Sequence, residues 1–215
     1  MRCSVFFKQC LKEMLGRPMS ALKELKKHLK PGQVYRRADL AQWSNAVDRH
    51  LRQLVKEGTL QKVSQGVYAY SKKTSFGKAV PEDHKLVEAF LKTDDFLLFS
   101  PNAYNALSVG TTQLYNEQVV YNRKRHGKFK LGNRTFNFQM KPYFPKDISE
   151  AFLLVDLVNN VNKLAEEQDA VLMRVLNVAS TMHTSTLRQA VLRYGGVRAK
   201  KMFSSLNSAA IIHAA

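Results

Sequence analysis

Apolar residues recur at helical spacing through the first sixty positions, and the pattern then switches to alternation. Over 4–15, Phe6, Phe7, Cys10, Leu11, Met14 and Leu15 line one side, with Lys8, Lys12 and Glu13 opposite. That spacing predicts an amphipathic helix, stopped by Gly16-Arg17-Pro18. A second helix is expected over 20–29, capped by Ser20, striped by Leu22, Leu25 and Leu29, and ended by Pro31-Gly32. Val34-Tyr35 is a short extended piece, and a third helix is expected over 37–43. A fourth begins at Ser44, whose hydroxyl is placed to cap the amides of Ala46 and Val47. It turns Val47, Leu51, Leu54 and Val55 inward and closes at Glu57-Gly58. Residues 59–63 and 67–70 then alternate on either side of Ser64-Gln65-Gly66, the mark of a β-hairpin. Helices followed closely by such a hairpin are the order of a winged helix-turn-helix.

Beyond this point the pattern is mixed. Residues 71–77 are polar and read as a linker. A helix is expected over 82–92, a buried strand at 96–99, and a short helix over 102–109 after the Ser-Pro turn. Strands are expected at 118–122, 127–131 and 134–140, the last two joined tightly by Gly132-Asn133. Helices follow over 149–160, 169–179, 185–194 and 198–206. The fold class is therefore α+β. An N-terminal winged helix-turn-helix with a helical extension (1–75) is followed by an α+β domain (76–215). That second domain has a small mixed or antiparallel sheet and a helical C-terminus.

Charge adds a partner to this picture. The chain has 34 Lys+Arg against 17 Asp+Glu, a net charge of +17. Residues 1–80 hold 17 of the basic residues and only 5 of the acidic ones, net +12. A field of that sign attracts polyanions, and phosphate backbones are the commonest. A second basic region runs from Gln118 to Lys146 without one acidic residue, and contains Arg123, Lys124, Arg125, Lys128, Lys130 and Arg134.

The fourth helix is the candidate reader of double-stranded DNA. With its core positions set aside, Asn45, Asp48, Arg49, Arg52 and Lys56 face outward. Asn pairs with adenine and Arg with guanine through two hydrogen bonds each. Ser44 and the helix N-terminus are placed to hold a phosphate, the hairpin adds Lys62 and Gln65, and Arg36 and Arg37 start the supporting helix. Asp48 is expected to pair with Arg52 one turn later.

Three runs carry a family resemblance: Leu-Lys-Pro-Gly-Gln-Val-Tyr (29–35), Ala-Val-Asp-Arg-His-Leu-Arg-Gln-Leu-Val-Lys-Glu-Gly-Thr-Leu (46–60) and Val-Ser-Gln-Gly-Val-Tyr (63–68). Together with Ser-Pro-Asn-Ala-Tyr-Asn-Ala-Leu (100–107), Gly-Thr-Thr-Gln (110–113) and Ser-Glu-Ala-Phe-Leu-Leu-Val-Asp-Leu (149–157), they resemble the AbiE-type (AbiEi) antitoxins. The resemblance spans most of residues 20–160. It implies an autoregulating antitoxin that represses its own operon; the oligomeric state stays open, with a homodimer on DNA as one arrangement. It also implies a nucleotidyltransferase-like toxin as counterpart, met directly or only genetically. The helix at 4–15 and the long helical end depart from that pattern.

Other chemistries find less support. The six histidines are scattered, and no phosphate-binding glycine loop or nucleophile elbow occurs. No catalytic set, cofactor or metal is expected, and Asp94-Asp95 read as a turn. Asp156 is expected at the edge of its helix. Tyr104, Tyr115, Tyr121, Phe129, Phe136 and Phe138 read as packing aromatics, with base stacking on a single strand as the rival. From this comes the alternative function, an RNA-binding or protein-interaction module using 119–140. Cys3 and Cys10 form no disulfide framework, no run is long enough to span a membrane, and Val5-Phe6-Phe7 is too short for a signal core. The expected location is the cytoplasm.

Overall fold

The computed structural model describes residues 21–75, 77–79 and 81–212. The helix expected at 4–15, both cysteines and the cap at Ser20 lie outside the described residues. The chain is α+β, and backbone proximity divides it into two units. One holds the described residues up to Thr93 together with Lys130–Arg134, and the other holds Asp94–Phe129 and the chain from Thr135 onward.

In the first unit, α1 (Ala21–Lys27) leads through Pro31-Gly32 to β1 (Val34–Arg36). Next come α2 (Arg37–Leu40), a 3-10 turn (Ala41–Trp43) and α3 (Val47–Lys56). β2 (Gln61–Ser64) and β3 (Val67–Ala69) follow, and the three strands form an antiparallel sheet in the order β1-β3-β2. Tyr68 lies opposite both Tyr35 and Lys62. The turn between β2 and β3 depends on Gly66, whose φ of 71° disfavours a side chain.

The helices pack because their apolar stripes coincide. Leu25, Leu29, Leu40, Val47, Leu51, Leu54 and Leu60 form one buried cluster, bordered by Tyr35, Trp43, Tyr68 and Tyr70. Each fully buried leucine contributes about 1.5–3 kcal/mol of transfer free energy. His28 stacks flat on Trp43, with ring centroids 4.3 Å apart.

The segment expected to be a linker is structured. β4 (Lys72–Thr74) and β5 (Gly77–Ala79) pair as a hairpin. Side-chain polarity misled the sequence reading here, because an exposed hairpin needs no apolar face when its backbone groups satisfy each other. α4 (Asp83–Leu91) then buries Leu86, Val87 and Leu91, and groups with this first unit. It ends on Lys92 in a left-handed conformation, φ 59°.

The second unit begins with β6 (Phe96–Phe99), and a 3-10 helix (Pro101–Leu107) takes the place of the short helix expected over 102–109. β7 (Gln118–Asn122), β8 (Gly127–Leu131) and β9 (Arg134–Met140) complete a mixed sheet in the order β6-β7-β9-β8. β6 runs antiparallel to β7, and β7 runs parallel to β9. The segment Lys130–Arg134 that joins β8 to β9 groups with the first unit. There the Gly132 N–H donates to the Val63 carbonyl at 2.9 Å.

Four helices follow: α5 (Glu150–Asn160), α6 (Gln168–Thr181), α7 (Thr184–Tyr194) and α8 (Val197–Ile212). α5 is buried on nearly every side, from Ala151 through Val158. A helix buried on so many sides belongs at the centre of a core rather than on its surface. Ser149 caps it by accepting from the Phe152 N–H.

Candidate nucleic-acid interface

α3 has two clearly different faces. Val47, His50, Leu51 and Leu54 are buried, while Asn45, just before the helix, and Asp48, Arg49, Arg52 and Lys56 are exposed. The inward set differs from the expected one at two positions. Val55 is 36% exposed, and His50 takes its place in the core. The stripe at 47, 50, 51 and 54 is a regular helical repeat once a histidine counts as a core residue.

Ser44 is the clearest correction. It was expected to hold a phosphate, but it is buried, only 5% exposed. Its Oγ accepts from the Ala46 N–H at 3.2 Å and lies 2.7 Å from His50 Nδ1. Its hydroxyl is engaged with Ala46 and His50 inside the protein, so it shapes the turn into α3.

Asp48 is the second correction. Its carboxylate pairs with Arg37 across the turn rather than with Arg52. Arg37 Nε donates to Oδ1 and Nη2 to Oδ2, each at 2.6 Å. The hydrogen bonds from Arg37 hold the Asp48 carboxyl below the usual aspartate range. Arg52 instead donates from Nε to the Asp48 backbone carbonyl at 3.3 Å, and the residue is exposed. Arg36 forms the same side-on pair with Asp39, at 2.9 and 2.7 Å. Arg37 is anchored at its backbone too, where its N–H donates to the Gly66 carbonyl at 2.8 Å. Lys62 and Gln65 are exposed on β2 and its turn.

The first unit thus brings Arg36, Arg37, Asn45, Arg49, Arg52, Lys56, Lys62 and Gln65 to α3 and the elements beside it. Arg49 and Lys56 form no ion pair among the described residues.

In the second basic region the six residues are not equivalent. Arg123 pairs with Asp95 at 3.0 Å and lies over the Phe144 ring. Lys124 and Arg125 are exposed on a turn organised by Asn122, which is fully buried. Its Oδ1 accepts from both their N–H groups, at 2.8 and 2.6 Å. Lys128 and Lys130 are exposed on β8, with Lys128 paired to Glu117 at 2.7 Å. Arg134 departs from the expected patch, because it is half-buried and its guanidinium bonds Asp83.

The aromatics beside these cations pack. Tyr104, Tyr121, Phe136 and Phe138 are at most 3% exposed, and Phe129 lies edge-on to Phe138. The four buried rings offer no face to a base, while Phe129 and Tyr115 are half-buried.

Sequence reading missed one polar centre. Asp156, expected at a helix edge, is 3% exposed in the second core. It accepts from the Tyr104 hydroxyl at 2.7 Å and from the Tyr121 hydroxyl at 2.8 and 2.9 Å. Asn160 donates to the Tyr121 hydroxyl at 3.2 Å. Burial pushes the Asp156 carboxyl above the usual aspartate range, although the tyrosines, Lys141 and Lys163 all favour its ionised form. The signal for it was a lone acid within the apolar run of α5, which demands partners if it faces inward.

A family model described as a family of unknown function, DUF6088, matches residues 21–172. No curated protein matches the chain.

Proposed function

We propose that this chain, which belongs to the DUF6088 family of unknown function, binds duplex DNA through its first unit and acts as a transcriptional repressor. In this reading, residues 21–70 form a winged helix-turn-helix. α3 enters the major groove, α2 supports it, and the β2–β3 hairpin is the wing beside it. The observation that carries the proposal is the split of α3. One side is seated in the leucine core, and the other presents Asn45, Arg49, Arg52 and Lys56 in a region of net charge +12. Those are donor types that read base edges and phosphates.

The resemblance to AbiE-type antitoxins extends the proposal. The chain then represses its own operon in the cytoplasm and counters a nucleotidyltransferase-like toxin. Among the described residues no helix is long and apolar enough to cross a membrane.

The test is a binding titration of the full chain against duplex DNA from its own upstream region and against unrelated duplex. Preference for the upstream fragment by ten-fold or more supports operator recognition, in line with the roughly 10³-fold or greater specificity usual for such proteins. Equal binding to both limits the role to general DNA contact. Absence of binding to either removes the proposal.

A further inference from the structure

We propose that Arg37, held side-on by Asp48, reads a guanine in the major groove and sets the base preference at one position of the site. The inference rests on the reading of α3 as the helix that meets DNA. A guanidinium carries five N–H donors in one plane. Asp48 occupies the edge formed by Nε and Nη2, at 2.6 Å on each oxygen. One N–H on Nη2 and both on Nη1 remain. The outer two of the plane, on Nη1 and Nη2, form the parallel fork that matches N7 and O6 of guanine.

The carboxylate does more than neutralise. A free arginine must lose its rotamer freedom when it binds, whereas a side-on carboxylate fixes the guanidinium plane beforehand. Placement favours the same role. Asp48 lies in the first turn of α3, and the Arg37 backbone is tied to the turn between β2 and β3 through Gly66. Arg37 therefore reaches from the hairpin to the N-terminal end of α3, the part of such a helix that approaches base edges. An acid on that surface repels phosphates. Once paired, the two residues have no net charge, so what they offer DNA is geometry rather than attraction. Arg36, at the end of β1, pairs with Asp39 of α2 and does not join α3 in this way.

Selection of bound duplexes from a randomised pool tests the proposal, using the full chain and its variants. Affinities are then measured on the selected site and on random duplex, and thermal unfolding confirms that each variant is folded. The wild type is expected to select sites with guanine at one defined position. Arg37→Ala should lose that preference alone, with a fall of about 5–150-fold on the selected site. Arg37→Lys should not restore it, because an ammonium is a point charge without the fork. Asp48→Ala should relax the guanine preference while keeping or raising affinity for random duplex. An equal loss on all sequences in Arg37→Ala and Arg37→Lys would make Arg37 a phosphate contact and overturn the inference. An unchanged preference would reduce the pair to a structural clamp, with the same result. A wild type that binds duplex but selects no guanine overturns it while leaving DNA binding intact. A wild type that binds no duplex overturns both readings.

Discussion

Ser44 Oγ and His50 Nδ1 lie 2.7 Å apart in the buried turn beneath α3. Ser44 also accepts the Ala46 N–H, so one hydroxyl joins the helix start to its core face. Ser44→Ala removes both bonds and leaves a buried imidazole nitrogen without its partner. The expected cost is about 1–3 kcal/mol of stability, read by urea denaturation. DNA affinity at a temperature where the variant is folded should stay close to wild type. A folded, equally stable Ser44→Ala variant that binds all duplexes more weakly would return Ser44 to the role of a phosphate ligand.

Affinity for duplex DNA should fall steeply with salt. Contacts with about 5–8 phosphates give a log–log slope of roughly −4 to −7. Fluorescence anisotropy between low and physiological salt measures it. A slope near zero contradicts an electrostatic interface built on a net +12 region.

Arg49 and Asn45 are exposed and positioned with the outward face of α3. Arg49→Ala and Asn45→Ala should each cost about 1–3 kcal/mol on the preferred site and little on random duplex. Lys62→Ala, on the hairpin, should weaken both alike and make the salt slope shallower by about one. If all three variants behave identically, α3 is not the reading element.

The Asp156 centre predicts a pH effect of opposite sign to that of the surface pairs. Its folded-state pKa is raised by burial, so between the unfolded and folded values the native state binds more protons. Its contribution is fully present below the unfolded value of about 3.9 and is lost as pH rises through the folded one. Asp48 and Asp39, lowered by their arginines, do the reverse and lose stability as pH falls. Comparison with Asp156→Asn isolates the buried group. Going from pH 7 towards pH 4, wild type should gain stability relative to that variant. A constant difference across the range would mean that Asp156 titrates as it does in the unfolded chain. Asp156→Ala strands two tyrosine hydroxyls and should cost about 2–5 kcal/mol.

What was legible in the sequence followed from local periodicity. The stripe Val47, Leu51, Leu54 places α3 and its exposed face, and Ser64-Gln65-Gly66 places the hairpin turn. His50 was hidden because its side chain counts as polar until a partner such as Ser44 is known. The Arg37–Asp48 pair joins residues from two helices separated by a turn, and no repeat length reports such a contact. β7 and β9 run parallel although β8 lies between them in sequence, so neighbouring strands in the chain are not neighbours in the sheet. Arg134 looked like part of a surface patch because only the fold brings Asp83 to it. Asp156 sits in the core because α5 is buried along Ala151–Val158 and reaches solvent only near its ends, at Glu150 and Asn159.

β8 closes one rim of its sheet, and its exposed positions are Lys128 and Lys130. A rim strand carries a row of backbone donors and acceptors that a second chain is able to extend. Two ammonium groups at neighbouring exposed positions make that extension costly, since each added copy would set like charges side by side. Lysines at this rim therefore work against edge-to-edge pairing of copies, Lys130 most directly since Lys128 is paired with Glu117. Threonine at both sites, neutral and strand-favouring, would leave the rim ready to stack copies into aggregates, and the sign of it would be light scattering that rises with protein concentration.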